Sequence, residues 1–207
     1  MHLIIGNKIA NSLSIEDKTL FLLGSIAPDA VFSFEEKNLS HFFIGEVKDY
    51  SRRVDYKGFL NKYSSIVENT NPYILGYYTH LIADDIFLRG FNLSWLRNRM
   101  EADEGLYKLY HNDFQILNGK LLEYYDFTGE IRKQLSHIPT ILDLEEVKSV
   151  DVEKFVPLVL GDMEYDKKVI NEQLNVFTFN QIIGYIETAV ELGQLKTKQI
   201  LTKTITN

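Results

Sequence analysis

The sequence predicts an all-α protein, and three observations carry that prediction. Only 4 of its 207 residues are proline, so little interrupts a helical run. Apolar residues recur at three- and four-residue spacing through most of the chain. The strict alternation of a half-buried strand is almost absent. With 45% hydrophobic and 25% charged residues, the chain has the composition of a soluble globule and is too apolar for a disordered one. The expected organisation is a single-domain multi-helix bundle over residues 1–207. Its chemically interesting motifs lie in 1–115, and 126–207 form a helical extension with no assigned role.

Element by element, His2 to Ser12 predicts a short first helix built on Leu3, Ile4, Ile5 and Ile9. Ser14-Ile-Glu-Asp17 reads as a capping-box variant opening a second helix through Thr19–Leu23 to Gly24. Pro28 then breaks the chain within Ser25–Ala30. Phe32 to Tyr50 reads mostly as loop with one helical turn, and Asp55 to Glu68 as helix. Asn71-Pro72 is a strong helix start, with Asn as cap and Pro in the first turn, and Gly90 marks the expected end. A long helix is expected over Glu101–Tyr125, with Leu106, Leu109, Tyr110, Phe114, Leu117, Leu121 and Leu122 along one stripe. Beyond it, Thr128–Leu135, Val152–Asn175 and Thr178–Ile200 read as partly helical, interrupted at Pro139 and Pro157. Thr178-Phe-Asn-Gln181 is a second capping box.

Composition also excludes function classes. The chain has no cysteine, which removes disulfide scaffolds, thiolate zinc sites, iron–sulfur clusters and cysteine nucleophiles. Any metal must be held by nitrogen and oxygen. No apolar run reaches transmembrane length, and the first residues meet Lys8 too early for a secretory signal, so the expectation is a cytoplasmic protein. A net charge of −7 argues against broad nucleic-acid binding.

The most informative segment is Gly76-Tyr-Tyr-Thr-His80-Leu-Ile-Ala-Asp84. On a helix His80 and Asp84 sit one turn apart on one face, flanked by apolar residues. Such a pair either converges on a cation or satisfies itself by a hydrogen bond, and a buried carboxylate needs one of these partners. Gly76, one turn earlier, allows a backbone or a ligand to approach closely. Asp29, behind the rigid Pro28, is either a turn former or a group aimed at an interior site. His2 and His41 also lie beside apolar sequence.

The order His2-Leu-Ile-Ile, Phe21-Leu-Leu-Gly-Ser-Ile-Ala-Pro-Asp29, Ser40-His41-Phe42 and Gly76–Asp84 resembles the zinc-dependent phospholipase C family, whose all-α fold is shared with single-strand nucleases. The likeness covers about the first 90 residues, and more loosely the region of His111. It implies a metal site of Asp29, His41, His80 and Asp84. It further implies that His2 helps hold another ion beside that site, with Asp84 as a bridge. Zinc suits that donor set, one or two ions, with manganese or iron chemically acceptable.

One departure is plain. The family continues with a further histidine and then a His/acid pair on a later helix. Here His111 stands near the expected ligand, but one turn on is Gln115, so a mono- or dinuclear centre is expected. The implied activity is hydrolysis of a small phosphoester, phosphodiester or phospholipid-like substrate by metal-activated water, with Asp29 or Asp84 orienting the water or taking its proton. The alternative is a non-catalytic helical module that the metal stabilises. An HD-type phosphohydrolase is disfavoured, because none of the five histidines precedes an aspartate.

Arg89–Arg99 is the one compact cationic-aromatic cluster. Arg89 and Arg97 are candidate substrate-binding residues at a phosphate lip. A lipid-interface role is a second reading. The plainer one gives Trp95 to the core and the arginines to Glu101, Asp103 and Glu104. Tyr107, Tyr110 and His111 read more simply as a packed helix face than as a substrate box.

Overall fold

The computed structural model describes residues 1–67 and 70–205. Helices dominate, as the sequence predicts, and the described strands amount to one two-residue hairpin pair. The first half runs α1 (His2–Leu13), α2 (Lys18–Ile26), a 3₁₀ turn (Ala27–Ala30) and α3 (Phe34–Ser40). Antiparallel β1 (Phe43–Ile44) and β2 (Arg53–Val54) follow, then α4 (Tyr56–Lys62), α5 (Ser64–Val67) and α6 (Pro72–Phe87). A π-helix (Leu88–Leu96) leads into α7 (Arg97–Ala102). The second half contains α8 (Leu106–Tyr125), α9 (Thr128–Leu135), α10 (Ser149–Gly161), a second 3₁₀ turn (Lys167–Asn171) and α11 (Phe179–Ile205).

Helix α6 is the axis. Asn71 accepts from the amides of Tyr73 (3.0 Å) and Ile74 (3.4 Å) and Pro72 fills the first turn, so the start signal operates as expected. From Tyr73 to Ala83 every side chain is buried. A helix apolar on all sides belongs inside a bundle, and α6 packs against α2, α1, α4 and α11. Its closest neighbour is α2, and two glycines explain why. A Cβ on Gly24 would lie 2.0 Å from the Tyr73 carbonyl oxygen, and one on Gly76 would lie 2.0 Å from that of Phe21. Each helix therefore presses its backbone into the gap left by the other's glycine. It is a backbone, not a ligand, that Gly76 admits.

Several boundaries differ from expectation for identifiable reasons. Ser14 ends α1 in a left-handed conformation (φ 51°), and Asp17 caps α2 by accepting from the Leu20 amide at 2.9 Å. The helix over Asp55–Glu68 is split at Tyr63, and its expected end at Glu68 lies outside the described residues. Gly90 does not end α6. The chain stays helical through a π segment in which the Arg97 amide reaches the Asn92 carbonyl, five residues back, and then passes directly into α7. The long helix begins at Leu106, because Asp103 is extended (φ −139°, ψ 103°). Pro157 sits inside α10 without ending it. The second capping box forms as expected: Thr178 N donates to Gln181 Oε1 (2.8 Å), and Gln181 N to Thr178 Oγ (3.2 Å).

Asp113 of α8 is fully buried and ties the second half together. Its carboxylate accepts from the backbone amides of Asn175 (2.7 Å), Val176 (2.7 Å) and Phe177 (3.1 Å). Phe177 is thereby set among Phe87, Phe91, Trp95, Tyr110 and Phe114. Trp95 belongs to this aromatic layer, as the plainer reading of its segment expects.

Candidate metal centre

Each candidate donor is positioned by its own element. His2 is the first residue of α1. Asp29 sits in the 3₁₀ turn that Pro28 imposes after α2. His41 caps the C-terminus of α3, and Phe42 after it takes a left-handed φ of 50°, so the chain reverses into the hairpin. Such backbone is costly for a bulky residue and is held here by its surroundings. His80 and Asp84 share one face of α6.

Backbone carbonyls set the imidazole orientations. The His80 Nδ1 lies 2.9 Å from the Ser25 carbonyl oxygen, and the His41 Nδ1 lies 3.0 Å from that of Lys37. A carbonyl only accepts, so both Nδ1 atoms carry the proton and both Nε2 lone pairs face the cluster. The Ser40 hydroxyl donates to the Pro28 carbonyl at 2.8 Å and so ties the end of α3 to the Asp29 turn. Buried Tyr77 donates to the Ser40 carbonyl at 2.6 Å from beneath. Tyr77→Phe is expected to leave that carbonyl unpaired and cost about 1–3 kcal/mol. A denaturant melt measures it, and a loss below a few tenths of a kcal/mol would show that Tyr77 does not hold the His41 segment.

The donors converge. The His80 and His41 Nε2 atoms are 3.4 Å apart, and Asp84 Oδ2 is 3.4 Å from the latter and 3.5 Å from the former. Asp29 Oδ1 is 3.4 Å from His41 Nε2. On the other side, Asp84 Oδ1 is 3.3 Å from His2 Nε2, and the His2 ring stacks on His80 at 3.7 Å between centroids. These separations exceed those of ordinary hydrogen bonds, about 2.7–3.2 Å. The three among His41, His80 and Asp84 match the edge of a tetrahedron whose centre lies about 2.0–2.1 Å from each donor, as at zinc, since that edge is about 3.3–3.4 Å. The Nδ1 atom of His2 is also buried without a hydrogen-bond partner among the described residues. Lone pairs facing lone pairs across 3.4 Å, beside an orphaned imidazole nitrogen, fit a cation. Two groups of donors stand out, His2, Asp29 and His80 and then His41, His80 and Asp84.

The imidazoles and carboxylates of the cluster also shift one another. Burial alone would raise the Asp84 carboxyl, but the charge of His80 and the hydrogen bond of His2 pull it well below its ordinary value. Asp29 is likewise lowered against burial, by His80 and His41. Burial works to lower His80, and the charges of Asp84 and Asp29 outweigh it and raise the imidazole. Burial, followed by His80, lowers His2. Both carboxylates are thus ionised in the cluster.

The cluster lies between two cavities. One, of 160 Å³, meets Asp29 and His2 and is otherwise mostly apolar, with Leu121, Leu122, Phe155 and Val159. The other, of 260 Å³, meets Asp84 and His2 and has aromatic walls. Among the donors Asp29 is the most open, with its side chain 37% exposed, while the His80 side chain is fully covered.

Three residues singled out in the sequence stand elsewhere. His111 is exposed on α8 and packs against the rings of Tyr107 and Tyr110, away from the converging donors. Arg89 pairs with Asp85, which is buried one turn before it. Arg97 pairs with Glu101 at 2.8 Å and donates to the Val47 carbonyl. Neither guanidinium lines either cavity. Sequence reasoning passed over Ser25, Lys37 and Ser40, whose carbonyls act, and Asn92 and Tyr185, which line the aromatic cavity. Lys37 and Ser40 are local to His41, but no local spacing connects Ser25 to His80 or Tyr185 to the donors.

Fold and donor set together define an all-α protein with a candidate His/Asp metal centre. The sequence profile of the family described as zinc dependent phospholipase C matches residues 1–87, a span that contains all five converging donors. The likeness read from the motifs is therefore borne out over that span. No curated protein and no solved structure matches the chain significantly.

Proposed function

We propose that this chain is a zinc-dependent hydrolase of phosphoric esters, acting on a phosphodiester or phospholipid-like substrate. The observation that carries the reading is the set of donor separations of 3.3–3.5 Å among His2, His41, His80, Asp29 and Asp84. Zinc at such a site supplies Lewis-acid polarisation of a phosphoryl oxygen and acidifies water to a pKa of about 7. His41, His80, Asp84 and Asp29 would hold one ion, and His2, together with Asp84, would help hold a second beside it. Asp29, the most open donor, takes the proton that water loses as it attacks phosphorus. The P–O bond to the leaving group then breaks, and the leaving oxygen takes a proton from solvent. The apolar cavity beside Asp29 excludes bulk water and suits the apolar part of an ester.

Elemental analysis of the purified protein is expected to find one or two zinc ions per chain. Chelation is expected to abolish turnover of a generic aryl phosphodiester, and zinc to restore it. A metal-loaded protein with no turnover, whose melting temperature nevertheless falls steeply on chelation, would favour the non-catalytic, metal-stabilised module instead. No helix among the described residues is long and apolar enough to cross a membrane. A lipid-like substrate would therefore be met without a helical anchor from these residues.

A further inference from the structure

The cavity beside Asp84 has a wall that the metal donors do not use. Set among its phenylalanine rings are three neutral polar side chains from separate elements: Asn92 of the π-helix, Tyr110 of α8 and Tyr185 of α11. A single helix face does not produce such a convergence. Tyr185 is only 4% exposed, and a phenol so deep normally finds an acceptor. Yet neither tyrosine hydroxyl bonds to a described residue, and neither is sealed off from the cavity.

The rings themselves are fixed. Tyr185 meets Phe87 edge-on at 5.4 Å and Tyr110 meets Phe114 edge-on at 4.8 Å, so both phenols are held before any ligand arrives. Burial, with the charge of Asp84 second, pushes Tyr110 up to about 12 and holds Tyr185 well above its ordinary value. Both stay O–H donors across the neutral range.

Charged donors are committed elsewhere, Arg89 to Asp85 and Arg97 to Glu101. A wall of uncharged donors directly against a carboxylate does not attract a free anion. It suits an oxyanion whose charge is already met by cations at the His/Asp cluster, and it orients that group without adding charge.

We propose that Tyr110 and Tyr185, with Asn92 beside them, bind the non-bridging phosphoryl oxygens of the substrate from the side opposite Asp29. The proposal rests on the phosphoester reading above and assigns a role to three residues outside the matched span.

Inorganic phosphate serves as the probe, titrated calorimetrically into zinc-loaded protein at neutral pH. Tyr110→Phe and Tyr185→Phe are each expected to weaken phosphate binding about three- to tenfold, the effect of one lost hydrogen bond. Zinc per chain and melting temperature are expected to stay as in the parent, since phenylalanine keeps both rings. Parent and variants that bind phosphate equally would overturn the tyrosine wall and leave the hydrolase reading standing. Variants that lose zinc would overturn it too, because the tyrosines would then be supports of the metal site. A parent that holds zinc but no phosphate would overturn both readings.

Discussion

Asp84→Asn is expected to reduce phosphodiester hydrolysis by about a thousandfold or more and to leave less than half of the zinc on the protein after dialysis. Asp84 is the one donor with imidazole neighbours on both of its oxygens, His2 at 3.3 Å on one and His41 and His80 at 3.4 and 3.5 Å on the other. Asparagine keeps the shape and removes the charge, and it turns an N–H₂ donor toward lone pairs that already lack protons. The charge stabilisation that a metal centre gives a reaction is worth several kcal/mol, and each 1.36 kcal/mol is tenfold in rate. Zinc per chain by mass spectrometry and kcat/KM on an aryl phosphodiester together check the prediction. A variant that keeps its zinc and a rate within tenfold of the parent would remove Asp84 from the centre.

Gly76→Ala should have the largest effect on stability, about 3 kcal/mol or more. Overpacking a fitted core commonly costs about 1–3 kcal/mol. Here the new Cβ would lie 2.0 Å from the Phe21 carbonyl oxygen, and that neighbour is backbone, which cannot swing aside like a side-chain tip. For a chain of this size the corresponding fall in melting temperature is about 6–12 °C. The same substitution should weaken zinc binding well below the melting transition, because α2 carries both the Ser25 carbonyl that orients His80 and the turn that presents Asp29. A scanning-calorimetry trace within 2 °C of the parent would show that the two helices can separate at little cost.

The fold class was legible because helical periodicity and caps are local. Asn71-Pro72 and Thr178–Gln181 begin helices where the sequence says they should. Boundaries set by tertiary packing were not legible. Gly90 reads as a helix end, yet Leu88, Leu96 and the Phe87/Phe91/Trp95 layer keep the segment coiled against Phe177 and Tyr185. The donor set was legible in two grades. His80 and Asp84 declare themselves by a four-residue spacing, whereas His2, Asp29 and His41 gain meaning only from the family motifs around them. Tyr185 and Asn92 carried no signal, because α11 and the π-helix reach the cavity through contacts far apart in sequence. The sequence reads Tyr110 as part of a packed face, and its ring is indeed packed, but it also borders the cavity. The arginines misled for the opposite reason: a run of cations says nothing about the partners already holding them, Asp85 and Glu101.

Gly24 and Gly76 touch no donor, yet they behave as a single degree of freedom, the gap between two helix axes. The first side chain placed at either position forces that gap open, and a second placed at the other would find it already open. Their substitution energies are therefore strongly non-additive, with most of the loss incurred at the first step. Sequence drift at this contact is blocked at its first move, whichever glycine changes. The positions least free to vary in this half of the chain therefore include two that have no chemistry of their own.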